Sequence, residues 1–155
     1  MKHLLHAIKS RVGQNLPYVR QVFILGIDEL FPAESATPAL GLRDGGTTVI
    51  TDPAVIDTER INEILTVPID IFLENLLDVE APMLGDAQTK GLLDIAVDLR
   101  TQLNDQLFTA APDSLDFYDA YVRDETPPVL FIFPDAGKEI MKKTVTFQYR
   151  RLKAR

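Results

Sequence analysis

Cysteine and tryptophan are both missing from this sequence, and histidine occurs only at positions 3 and 6. Without cysteine there can be no disulfide framework, no thiolate metal site and no thiol nucleophile, and a reducing compartment is compatible with the chain. His3 and His6 would share a face on a helix. With no third ligand near them, a solvated or interface-facing pair is a better reading than a metal pair. No apolar run approaches the ~18 residues that a membrane-spanning helix needs. The opening Met1-Lys2-His3-Leu4-Leu5 turns polar too quickly for a signal peptide. A soluble protein, not exported by the usual route, is the expectation.

The motifs of catalysis are equally scarce. G-x-S-x-G, H-E-x-x-H, the phosphate-cradling loop and G-x-G-x-x-G do not occur. The Gly137-Lys138 pair in PDAGKE lacks the upstream glycine and the following Ser or Thr of a phosphate cradle, so a hairpin turn is the reading there. Asp94 and Asp98, one helical turn apart, could hold a hard cation, but on a polar helix face such a pair is far more often a solvated stripe. Nothing points to catalysis, to a cofactor or to a bound metal.

What is present begins with length. A chain of 155 residues is long enough to bury one real core, and it reads as a single domain over 1–155. The net charge of −7 is unevenly spread. Residues 138–155 hold seven of the sixteen basic residues and one acid, so that segment carries +6 and the remainder −13. An acidic body with a basic end suits either a nucleic-acid tail or a mate for the acidic body of a second copy. The basic residues alternate with Phe147 and Tyr149, a pattern able to stack on single strands. The competing reading buries those two rings, and the acidic body would repel a phosphate backbone.

The clearest element is 86–108. Leu92, Ala96, Leu99, Leu103 and Leu107 recur at steps of three and four, opposite Lys90, Asp94, Asp98, Thr101 and Asp105. This spacing predicts a two-faced helix roughly 30 Å long, capped by Asp86 or Thr89. A first helix is predicted over 2–15 with Leu4, Leu5, Ile8 and Val12 inward. Strands are predicted over 18–25 and 64–74, the second with Leu65, Val67, Ile69, Ile71 and Leu73 on one face and Asp70 outward. Pro68 cannot donate to a ladder, so it must lie at a free edge or a bulge. Asp44-Gly45-Gly46 predicts a hairpin between 39–43 and 47–51. The segments 28–38 and 76–85 read as loops, and 52–61 as a short helix or an extended connector. Strands over 117–123, 129–133 and 141–152 read as a closing meander. The fold class is α+β: a mainly antiparallel sheet covered on one face by two helices.

The order and texture of these elements resemble the tail-terminator (tail-completion) and neck proteins of tailed bacteriophages. The resembling stretches are MKHLLHAIKSRV, LTVPIDIFLE, GLLDIAVDLRTQL and KKTVTFQYRRL; FPAESATP and LLDVEAPML fall outside the pattern. The resemblance implies a homo-oligomeric, hexameric ring that caps the tail tube, stops its polymerisation and joins the tail to the head. The partners it implies are the tail tube protein, a neck, stopper or connector protein and, in a contractile tail, the sheath protein. The genome would pass through the lumen without sequence-specific binding. Such a protein is no enzyme, touches no membrane, and resides in the virion after assembly in the host cytoplasm.

A head-to-tail ring sets one surface of each copy against a different surface of the next. The candidate interface residues are Arg150, Arg151 and Arg155 on the basic strand end and Asp94, Asp98 and Asp105 on the acidic helix stripe. A stopper-like adaptor, or a small cytosolic ligand-binding or regulatory domain, are the alternatives.

Overall fold

The computed structural model describes residues 1–26, 36–50, 60–74, 80–86, 88–105, 108–110, 115–133 and 137–154. The fold is α+β. Helix α1 (Lys2–Asn15) buries Leu4, Leu5, Ile8 and Val12, the stripe its sequence spacing set out. Strand β1 (Gln21–Leu25) follows, then β2 (Ala39–Arg43), β3 (Thr47–Ile50) and the long β4 (Arg60–Glu74). Helices α2 (Glu80–Leu84) and α3 (Leu92–Leu103) come next. Four strands close the chain: β5 (Phe108–Ala110), β6 (Leu115–Glu125), β7 (Val129–Phe133) and β8 (Lys138–Ala154).

One eight-stranded sheet runs β1-β2-β4-β8-β6-β5, with β3 added to β4 and β7 to β8. Among the described residues only the β1–β2 pairing is parallel. At its centre β4 pairs with β8 along its whole fifteen-residue length. Leu65, Val67, Ile69 and Ile71 of β4 and Val145, Phe147 and Tyr149 of β8 form one apolar face. Both long helices pack on that face, where Leu92, Ile95, Leu99 and Leu103 of α3 meet the α1 stripe. Phe147 and Tyr149 are fully buried, so they stabilise the core and cannot stack on bases.

Several sequence expectations are corrected. The long helix starts after Gly91, not at Asp86, and spans 12 residues, about 18 Å. Asp86 instead ties a tight turn, its Oδ1 accepting from the backbone of Gln88 at 2.7 Å and Thr89 at 2.6 Å. The other end stops at Asn104, and Asp105 takes a positive φ of 55°. Phe108 therefore belongs to a strand; Leu107 lies outside the described residues. A short helix, α2, stands within the expected 76–85 loop. The 52–59 connector and most of the 28–38 loop lie outside the described residues.

The predicted hairpin at Asp44-Gly45-Gly46 does not form. β2 and β3 run one after the other along the same edge of β4, in registers that differ by one residue. The glycines make a bulge between them. Gly45 N–H donates to Thr66 O and Thr66 N–H to Gly46 O, both at 2.9 Å. Gly46 has φ +93°, and a Cβ on Gly45 would lie 2.8 Å from the Pro68 ring, so both positions call for glycine. The missing donor of Pro68 falls at this break, the bulge its sequence required. The meander is corrected in the same way. β6 and β7 do not pair with each other but line up along the same edge of β8. Thr126 keeps the chain on that edge by donating its N–H to Thr144 O at 3.0 Å, and Pro127 and Pro128 follow.

The helix-free face is not simply polar. Phe72, Ala39 and Ile140 form a second small cluster there with Phe23 and Leu25. Asp70, expected outward, is completely buried beside them. Its carboxylate accepts from Arg43 Nε at 2.8 Å and from Thr144 Oγ1 at 2.6 Å, with Lys142 Nζ 3.5 Å away. Two cations and a hydroxyl brought in from flanking strands make that burial tolerable.

Candidate assembly surface

The least compensated part of the described surface is β7. Its sequence, VLFIF, carries no charge, yet Val129 is 52%, Leu130 47% and Ile132 63% exposed. Alternate residues of a strand face opposite ways, so apolar groups stand in water on both faces of β7. Its inner edge is hydrogen-bonded to β8. No described residue hydrogen-bonds to its outer edge. Natural sheets blunt such edges with charge or proline. β6, its neighbour along the same edge of β8, carries exposed Arg123 and Asp124; β7 carries nothing of the kind. The Lys142 ammonium of the neighbouring β8 sits 5.9 Å from the centre of the Phe131 ring.

At the far side of the same half of the sheet lies β1, QVFIL, also uncharged. No described strand or loop pairs with its outer edge, and Ile24 is 39% exposed. A second apolar patch lies on the helix layer, where Leu84, Leu93 and Val97 are exposed. The helix face expected to be an acidic stripe is thus partly apolar.

The residues singled out by the sequence are distributed as follows. Arg150 is exposed, level with Ile64 of β4 and Tyr118 of β6. Arg151 is spent within the chain. It stands opposite Glu63, and its Nε and a terminal nitrogen both donate to Glu63 Oε2, the former at 2.9 Å. Both side chains are mostly buried, so Arg151 helps to hold β8 to β4. Arg155 lies outside the described residues. Asp94 is exposed but closes the start of α3, its Oδ2 accepting from Gly91 N–H at 3.3 Å. Asp105 is exposed in the turn after α3, and its own N–H donates to Ala120 O at 3.0 Å.

Asp98 has the most specific surroundings. Tyr18 OH and Lys90 Nζ both donate to its Oδ2 at 2.5 Å, and the Lys90 ammonium lies 5.1 Å from the Tyr18 ring centre. Burial, the largest single influence on Asp98, raises its pKa. The hydrogen bonds from Lys90 and Tyr18, with the Lys90 charge, outweigh it and bring the carboxyl below its usual range. Burial first, and then the bond to Asp98, push the Tyr18 phenol well above its ordinary value. The triad pins the turn before β1 to α3.

Tyr18 and Lys90 also border an open crevice of about 1040 Å³ at one end of the sheet, with Arg20, Glu74 and Lys138 on its other walls. Among the described residues no group of three or more acids and histidines is placed to grip a metal ion. No described helix is long and apolar enough to cross a membrane. No family model matches this chain, and no curated protein is significantly similar to it.

The sequence predicts the strand at 129–133 but not its exposure, because an uncharged apolar strand reads as buried. The only available signal was negative, since 129–133 has no lysine, glutamate or internal proline.

Proposed function

We propose that the chain is a structural virion protein of the tail-terminator type. In this reading it forms a homo-oligomeric ring, hexameric by the resemblance, that caps the tail tube of a tailed phage and halts its polymerisation. The ring also joins the tail to the neck or connector, and the protein resides in the virion tail after assembly in the host cytoplasm. Its chemistry is assembly and not catalysis.

The observation that carries this reading is the outer strand β7, apolar on both faces and with no described residue hydrogen-bonded along its outer backbone. A monomer at work in water has no use for such an edge, which invites pairing with another chain. An assembly subunit needs one. The resemblance supplies the kind of assembly, and an acidic remainder suits a lumen through which DNA slides without adhering. A stopper-like adaptor of the same neck region would show the same edge. The crevice beside Tyr18 and Lys90 favours a different reading, a small ligand-binding domain.

Solution mass by light scattering separates the two. A ring-sized particle is expected. A monomer at every concentration, with a melting temperature raised by a small molecule, would replace this reading with the ligand-binding one.

A further inference from the structure

We infer that the open edge of β7 is completed by β1 of a second copy, so that the sheet continues from one subunit to the next. This inference rests on the ring reading and names the contact that builds the ring. Four observations carry it.

The two strands are the opposite outer edges of the same half of the sheet, and no described residue hydrogen-bonds to either outer edge. Each is five residues long and uncharged, so a seam between them would desolvate no charge. Their directions also suit pairing. β1 runs parallel to β2, while β2, β4, β8 and β7 alternate. β7 therefore meets an incoming β1 antiparallel, the more favourable ladder.

Register supplies the fourth observation. Val129, Lys142, Phe72, Ala39 and Gln21 occupy one row across the sheet. From that row β7 extends one way and β1 the other. Pairing them between copies steps each subunit along the strand direction, which is the stagger that tilted strands need to close a circle.

The occupant follows from the same geometry. A foreign strand on β7 would leave β1 open. A second copy covers both edges at once, and a closed ring leaves neither exposed.

The absence of cysteine from the natural chain makes the test clean. Ile24→Cys and Ile132→Cys are introduced singly and together in the full chain, at two exposed positions, and treated with a short bis-maleimide. The double variant is expected to give a ladder of covalent oligomers on a denaturing gel, and neither single variant a ladder. Dimers from Ile132→Cys alone would show β7 meeting β7 and overturn the inference. Linkage of Ile132→Cys to Thr48→Cys in place of Ile24→Cys would move the acceptor to β3 and overturn it too.

Ile132→Lys places an ammonium on the edge and is expected to raise the concentration needed for assembly by at least about tenfold, with circular dichroism unchanged. If the wild type is ring-sized but no double-variant ladder forms, the ring stands and this contact falls. If the wild type is a monomer throughout, the ring reading itself falls.

Discussion

Replacing Asp70 by asparagine keeps the shape of the side chain and deletes its charge. Asp70 Oδ2 receives Arg43 Nε at 2.8 Å, and Oδ1 receives a second Arg43 nitrogen at 3.0 Å and Thr144 Oγ1 at 2.6 Å. Lys142 Nζ stands 3.5 Å away, and the Asp70 side chain has no exposure at all. In Asp70→Asn one acceptor oxygen becomes an NH2 that points at donors. Arg43 and Lys142, both mostly buried, then face each other across a neutral group. Removing one partner of a buried ion pair costs about 3–5 kcal/mol, and that figure applies here because the carboxylate answers two cations. Against a total stability on the order of 10 kcal/mol, the variant should lose roughly a third to a half of it. Urea melts followed by circular dichroism measure this directly, provided the slope with denaturant is unchanged. Asp44→Asn is the matched control. Asp44 is exposed and accepts one local bond from Gly46 N–H at 2.8 Å, so its loss should stay within about 1 kcal/mol. A loss below about 1 kcal/mol for Asp70→Asn would refute the reasoning, because water would then be reaching the cluster.

Leu99 of α3 is fully buried among the sheet residues, so Leu99→Ala should cost about 2–5 kcal/mol in the same melts. Tyr18→Phe tests the tie between β1 and α3 through pH. Asp98 titrates below its usual range when folded. The stability it contributes is therefore present above the ordinary carboxylate pKa of about 4 and is lost as pH falls through the folded value. Tyr18→Phe should cost about 1–2 kcal/mol near neutral pH. The gap to the wild type should close once Asp98 is protonated, and a gap independent of pH would show that the phenol acts by packing alone.

Much of the frame was legible because it rests on periodicity. The three-and-four spacing of Leu4, Ile8 and Val12, and of Leu92, Ile95 and Leu99, marks helix faces that are buried as expected. The alternation of Leu65, Val67, Ile69 and Ile71 marks the core face of β4. Pairing partners were not legible, because Asp-Gly-Gly serves a hairpin turn and a bulge equally well. Only the distant register of β4 decides between them. Asp70 reads as outward in any alternating pattern; Arg43, Lys142 and Thr144, which make its burial tolerable, come from other strands. Arg151 reads as part of a basic tail until β4 sets Glu63 opposite it. On the candidate surface, charge counting drew attention to arginines and aspartates that serve local structure in part. The bare edge of β7 carries no charge to count.

The central ribbon has a consequence for biosynthesis. β8 is the last described element in chain order, yet it lies at the middle of the sheet between β4 and β6. Its partners on β4 were translated much earlier, from Glu74 opposite Ile140 to Arg60 opposite Ala154. Until β8 has been synthesised, β4 lacks its longest partner and its apolar face lacks half its floor. The nascent chain must therefore hold an unfinished core from the synthesis of β4 until that of β8. Such long-range pairing folds slowly, and the waiting intermediate is prone to aggregation. This strand order makes the joining of β4 and β8 a late, long-range step of folding.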